Sequence, residues 1–144
     1  MNRMLAAIAL LPILGVSAWA QPVNAQGATA SLSAQLAGAE GGDPDGTGTF
    51  SARIDGEAGQ LCYELSASGI GEATLAHVHR GGEGQSGPPV VGLDAPAGGS
   101  SQGCESVAAD LLAELSGNPG AFYVNVHNAE FRSGAIRGQL AGGM

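Results

Sequence analysis

Apolar and polar residues alternate with a period of two along most of the chain, the pattern of β-strands with one buried face. In residues 47–55, for example, Phe50, Ala52 and Ile54 alternate with polar side chains. Glycine-rich stretches separate the alternating segments, and glycine supplies the backbone angles that tight turns need. The pattern predicts six strands, at residues 31–39, 47–55, 60–68, 74–79, 121–128 and 135–141.

Two further segments differ from this period of two. Residues 107–115 carry apolar side chains at helical spacing, which predicts a short helix on a crossover between strands. Residues 81–99 are predicted to form a long loop with a few apolar side chains that can pack. Together the elements predict an all-β fold, an antiparallel Greek-key-like β-sandwich of immunoglobulin-like or superoxide-dismutase-like character with one short crossover helix.

The start of the chain has the features of a secretory leader. A positive N-terminus and a short apolar run precede the small-residue pattern Ala18-Trp19-Ala20. This order predicts a signal peptide over residues 1–20, and a second possible cleavage position follows Ala25.

The remaining chain is expected to form one domain, over residues 29–141, after a flexible N-terminal segment at 21–28. The leader is shorter than the ~20 apolar residues of a membrane span, and no later segment approaches that length. We therefore expect a protein that is exported to the periplasm or the extracellular medium, with no membrane insertion after leader removal.

Two cysteines, Cys62 and Cys104, are the only thiols in the sequence. Because an exported chain meets an oxidising environment, a disulfide between them is the first interpretation, and two free thiols are the alternative. Neither cysteine has a histidine close in sequence, so the sequence gives no sign of a catalytic thiol.

The charge composition excludes one broad class of function. Thirteen acidic residues stand against five arginines, with no lysine, for a net charge of −8. Nucleic-acid binding requires the opposite sign. Arg80, Arg132 and Arg137 are interpreted as members of solvated ion pairs, with an anion site as the less favoured alternative.

Three histidines carry the candidate chemistry. His77 and His79 are one residue apart on a predicted strand, so both side chains lie on the same face. His127 lies on the outward face of another predicted strand, and it would supply a third nitrogen if the two strands meet. Three imidazoles with an open position suit Zn²⁺ or Cu²⁺. The alternative is a structural role, in which the imidazoles hydrogen-bond across the sheet and to Asn125 or Glu130.

These histidines lie in motifs that resemble the CHRD domain, the module first described in chordin. The first signature is similar to the His-Val-His segment at 77–79 with the glycine-rich stretch at 81–91. The second is similar to Tyr-Val-Asn-Val-His at 123–127 and Ile-Arg-Gly-Gln-Leu at 136–140. The chain departs from the pattern at Arg132, where proline is frequent, and at Ala135, where glutamate is frequent.

The resemblance implies a β-sandwich, in agreement with the strand pattern, and it implies much less about function. Chordin carries repeated copies beside cysteine-rich modules that bind growth factors, whereas this chain has one copy and two cysteines. Copper-zinc superoxide dismutases also carry a His-Val-His strand, which motivates the metal hypothesis. Their dinuclear site needs more histidines than the three present here, so dismutase activity is not expected.

Three functions remain open at this point. The first is an exported CHRD-type binding or structural module, with no assigned reaction and an unidentified protein or glycan partner. The second is a mononuclear copper- or zinc-binding protein that uses His77, His79 and His127, with a link to redox chemistry. The third is an adhesion or matrix component that binds through residues 81–99. No catalytic residue is predicted.

Overall fold

The computed structural model describes residues 29–143, which form nine strands and one helix. The predicted signal peptide and the segment at 21–28 lie outside the described residues. The strands are β1 (Thr29–Ala37), β2 (Thr47–Asp55), β3 (Gln60–Ser68), β4 (Ala73–Arg80), β5 (Pro89–Leu93), β6 (Ser100–Ser106), β7 (Phe122–Asn128), β8 (Ile136–Gln139) and β9 (Ala141–Gly142). The helix α1 (Ala109–Gly117) and a 3-10 turn at Pro119–Ala121 connect β6 to β7.

All strand pairs are antiparallel, in the order β5-β4-β7-β8-β1-β2-β3-β6, with β9 beside β1. The end strands β5 and β6 come into contact, so the sheet curves into a nearly closed, sandwich-like barrel. Strands distant in sequence are neighbours, since β7 lies beside β4 and β8 beside β1. The predicted all-β antiparallel fold with its crossover helix is confirmed.

The period-two pattern of the sequence becomes the buried face of the sheet. In β2, Phe50 and Ile54 are almost fully buried while the residues between them face solvent. The same alternation holds in β1 and β3, and the helix adds Leu112 and Leu115 to the core. Burial of such side chains contributes about 1.5–3 kcal/mol each and is the main source of stability.

Two strands were missed by the sequence pattern, for different reasons. β5 lies inside the segment predicted as a loop, and its five residues are too few for a clear alternation even though Val91 and Leu93 are buried. β6 has no large apolar residue, and it is paired along its whole length with β3. The loop prediction for 81–99 was therefore wrong at β5.

The predicted bounds of β4 and β7 differ from the observed ones by one residue at most, and those of three other elements differ more. β1 begins and ends two residues earlier than predicted, and the helix covers 109–117 instead of 107–115. The last predicted strand is interrupted at Leu140, whose side chain is buried, so it forms the two short strands β8 and β9.

The two cysteines form a disulfide that links β3 to β6. Cys62 lies directly opposite Cys104 in the register of the two strands, and the structure joins them. The predicted disulfide is confirmed, and the alternative of free thiols is excluded. A disulfide is consistent with export. Among residues 29–143, no helix has the length and apolar character needed to cross a membrane.

Reduction of this disulfide is expected to destabilise the domain. The bond spans a sequence separation of 42 residues, and the loss of the corresponding loop closure costs about 4 kcal/mol in the chain-entropy model. Urea denaturation with and without a reducing agent measures the difference. A Cys62→Ala/Cys104→Ala variant is the matched control, because it should reproduce reduced wild type and be insensitive to the reducing agent. Equal stabilities of oxidised and reduced protein would contradict the expectation.

Candidate metal centre

The three histidines lie together on the outer face of β4 and β7. Val78 points into the core between His77 and His79, so both imidazoles project from the opposite face of β4. β7 pairs with β4, and its His127 lies opposite Leu75. One ring nitrogen from each histidine lies within 4.8 Å of the other two. The pairing of two strands distant in sequence thus brings the imidazoles to one place.

Backbone carbonyls fix the orientation of two of these rings. Nδ1 of His79 is 2.9 Å from the Gly87 carbonyl oxygen, and Nδ1 of His127 is 2.9 Å from the Arg132 carbonyl oxygen. A carbonyl oxygen only accepts, so Nδ1 of each ring is the donor, and Nε2 carries the lone pair of the neutral imidazole. Hydrogen bonds from the second ring nitrogen to a carbonyl orient most metal-binding histidines in this way. The structure uses these carbonyls, and not Asn125 or Glu130, as the anchors.

The nitrogens left over face a shared space. Nε2 of His79 is buried and has no hydrogen-bond partner. Nδ1 of His77 lies 3.5 Å from Nε2 of His127, so these two imidazoles are within hydrogen-bond distance across the sheet, as the structural alternative expects. Two nitrogens bound to one tetrahedral ion at about 2.0–2.1 Å are separated by roughly 3.3 Å, so this pair is already near the spacing of two ligands.

The surroundings of His77 and His79 favour the neutral form of both imidazoles. Burial is the main cause that lowers the pKa of both imidazoles below the ordinary value of 6.5. The neighbouring His127 lowers the pKa of each further, and for His79 the positive charge of Arg137 acts in the same direction, against the bond to Gly87. Only the neutral imidazole has a lone pair for a metal, so this environment favours the ligating form.

Tyr123 forms a wall of the cluster that sequence reasoning did not identify. Its ring stacks on His79 with centroids 4.9 Å apart and an interplanar angle of 14°. Its hydroxyl accepts a 3.2 Å hydrogen bond from the Gly87 N–H group, and Gly87 holds His79 through its carbonyl. Tyr123 and His127 are an even number of residues apart on β7, so their side chains lie on the same face of the strand. This spacing was the only sign in the sequence that Tyr123 belongs beside the histidines.

Gly87 itself occupies a position that tolerates no side chain. A Cβ atom there would collide with the carbonyl oxygen of Arg80. The close approach of the backbone brings the Gly87 carbonyl to His79, so the glycine-rich stretch after β4 supplies an outer contact of the cluster.

The arginines near the cluster have separate roles. Arg80 forms the predicted kind of ion pair, a bidentate one with the carboxylate of Glu114 on α1. Arg132 is exposed and contributes its carbonyl to His127. Arg137 has no carboxylate within 4.0 Å among the described residues, and its guanidinium lies over the Tyr123 ring. Arg132 likewise has no ion pair among the described residues, so the interpretation as a solvated ion pair was wrong for both Arg132 and Arg137.

Comparison with known families agrees with the motifs. The family model for the CHRD domain matches residues 29–140, and this range includes all three histidines. The chain belongs to the CHRD domain family. Among curated proteins, none matches the sequence significantly. Membership supports, at a coarse level, a binding or structural module, and the disulfide is consistent with export of this CHRD domain.

The histidine cluster should make the metal-free CHRD domain less stable in acid. The unfolded chain binds protons at the ordinary histidine pKa, and the folded chain binds them only at lower pH, because the pKa values of His77 and His79 are lowered. Their contribution to stability is complete above about pH 6.5 and is lost as the pH falls below that value. Urea midpoints at about pH 7.5 and about pH 5 measure it.

A His77→Gln/His79→Gln variant provides the control, since glutamine does not titrate. Its urea midpoint should depend less on pH over this range than that of the wild type. Identical pH profiles for the two proteins would show that these imidazoles do not govern the acid sensitivity.

Proposed function

We propose that this protein is an exported CHRD-type binding module of the periplasm or extracellular medium, and that it holds one Cu²⁺ or Zn²⁺ ion on His77, His79 and His127. The observation that carries the proposal is the pair of carbonyl-anchored rings, His79 and His127, whose Nε2 atoms carry the lone pairs that a metal needs. The unpartnered, buried Nε2 of His79 supports it further, because such an atom is costly unless something binds it.

The donor set supports the choice of metal. Three neutral imidazoles suit Cu²⁺ and Zn²⁺, whereas Ca²⁺ and Mg²⁺ prefer carboxylate and carbonyl oxygens. For a site built from nitrogen donors, Cu²⁺ binds more tightly than Zn²⁺ in the general order of divalent metals. Three protein ligands also leave a position for water or another small ligand.

Formation of the complete site would need only small movements of the ligating side chains. The ligating nitrogens lie within 4.8 Å of one another, and a bound ion would draw them to roughly 3.3–4.1 Å. His79 and His127 are held by carbonyls, while the ring nitrogens of His77 have no carbonyl partner among the described residues. Rotation of the His77 ring is therefore the adjustment that binding requires.

Removal of the histidines should abolish metal binding. We expect one equivalent of Cu²⁺, and more weakly of Zn²⁺, in calorimetric titrations of untagged, metal-free protein. Each single change to glutamine at His77, His79 or His127 should weaken binding by about 100-fold, because loss of one ligand leaves two. Glu64→Gln, at an exposed position of β3, is the control and should leave the affinity unchanged.

Copper also gives a spectroscopic test of the ligands. Electron paramagnetic resonance of the Cu²⁺ protein should show nitrogen hyperfine coupling that is reduced in each variant. If wild type binds metal no better than a variant without the three histidines, the proposal fails. The imidazoles are then structural, and residues 81–99 become the surface to test for protein or glycan partners.

Loss of the Tyr123 hydroxyl should weaken metal binding without removing a ligand. Tyr123→Phe keeps the ring on His79 but removes the hydrogen bond to Gly87, the residue that orients His79. We expect a decrease in affinity below the roughly 10- to 100-fold that loss of a direct outer-shell partner causes. Tyr63→Phe is the matched control, because the Tyr63 hydroxyl accepts a hydrogen bond from the backbone N–H of Asp94, a residue outside the histidine cluster. Equal effects of the two changes would contradict the assigned role.

A further inference from the structure

A pocket of about 560 Å³ opens beside the histidine cluster, on the outer face of β7 and β8. Tyr123, Asn125 and Arg137 line it together with His79, and short loop segments complete the wall. In the strand register Asn125 pairs with His77 on one side and with Arg137 on the other. The pocket therefore extends across the sheet from the imidazoles to a guanidinium.

Arg137 gives the pocket a positive charge that no ion pair within the described residues neutralises. Its guanidinium lies 3.4 Å from the centre of the Tyr123 ring, and one of its N–H groups donates to the Gly82 carbonyl. No carboxylate lies within 4.0 Å of it in the described part of the chain. A guanidinium has five donors, so most of them remain for a ligand, and the planar fork matches a carboxylate.

Asn125 adds a hydrogen-bond acceptor, the oxygen of its side-chain amide. The hydrogen bond made by the amide nitrogen determines which of the two atoms is this oxygen. The side chain is 6% exposed, and its Nδ2 donates to the Ser133 carbonyl at 3.1 Å. Because a carbonyl accepts only from the amide nitrogen, the remaining atom is the oxygen Oδ1, which is buried without a partner. His79, whose Nε2 is a second buried atom without a partner, is also among the lining residues.

We propose that this pocket binds a small α-hydroxycarboxylate. The carboxylate pairs with the Arg137 guanidinium, and the hydroxyl on the adjacent carbon donates to Oδ1 of Asn125. A ligand with both a carboxylate and a neighbouring donor satisfies the charge and the orphaned acceptor at once, which a simple carboxylate does not. Nothing in this step requires a metal ion.

The position of the pocket connects it to the metal centre. α-Hydroxycarboxylates chelate divalent ions through the same two oxygen groups, and His79 belongs to both the pocket and the cluster. In the metal-loaded protein one oxygen of the anion would take the position that three histidines leave open, a consequence that rests on the proposed function.

One acidic residue works against the anion. Glu40 lines the rim of the pocket, and its side chain is exposed. Its negative charge should weaken anion binding. Neutralisation of Glu40 should therefore raise the affinity for the anion, whereas loss of Arg137 should lower it. Because the residue is exposed, this change leaves the core undisturbed.

Titration of the metal-free, chelator-treated protein tests the proposal independently of metal binding. Glycolate, acetate and inorganic phosphate are added at constant ionic strength, and the side-chain NMR signals of Asn125 and Arg137 are followed. We expect saturable shifts with glycolate, and binding about tenfold weaker for acetate, which lacks the hydroxyl. Phosphate also pairs with a guanidinium fork, but we expect it to bind more weakly than glycolate because it has no hydroxyl on a neighbouring carbon to reach Asn125.

Variants assign the binding to the pocket. Arg137→Gln should weaken glycolate binding by at least about tenfold, and Glu40→Gln should strengthen it about twofold. Arg53→Gln removes an exposed arginine on β2 and should have no effect. The absence of saturable shifts, equal losses in the Arg53 and Arg137 variants, or acetate or phosphate binding as tightly as glycolate would each overturn the proposal. Because no metal is present, none of these outcomes depends on the histidines acting as ligands.

Discussion

The antiparallel pairing of β4 with β7 is the interaction on which the rest of the site depends. Inward side chains such as Val78, Val124 and Val126 are completely buried, and this burial fixes which face each strand turns outward. A slip of one residue would send the histidines into the core and the valines into solvent. The same apolar contacts that stabilise the barrel therefore determine that three imidazoles share one outer surface.

Orientation on that surface comes from the loops. The Gly87 and Arg132 carbonyls are placed by the segments that follow β4 and β7, and each holds one imidazole by its Nδ1 atom. A Cβ at Gly134 would meet the Asn125 amide, so this loop also needs a glycine to lie over the sheet. The strands thus determine where each side chain lies. The carbonyl groups of the loops determine which nitrogen of each anchored imidazole carries the proton.

The sequence predicted those features that depend on local periodicity. β2 and β3 have the predicted bounds because large apolar residues mark their buried face without interruption. β6 was not predictable in this way, since its pairing with β3 depends on backbone hydrogen bonds and the disulfide instead of apolar side chains. The grouping of His77, His79 and His127 followed from parity alone once β4 and β7 were neighbours. The stacking of Arg137 on Tyr123 depends on β8 lying beside β7, which no local pattern specifies.

The disulfide has a consequence for the way in which the chain matures. β6 contributes little apolar burial, and it covers the edge of β3, one of the longest strands. An uncovered edge of this kind is a template for pairing with another chain. Formation of the disulfide holds β6 on that edge. A molecule that remains in a reducing compartment lacks this bond, and the edge of its β3 is more easily exposed to other chains. The bond between Cys62 and Cys104 thereby couples protection from aggregation to arrival in an oxidising environment.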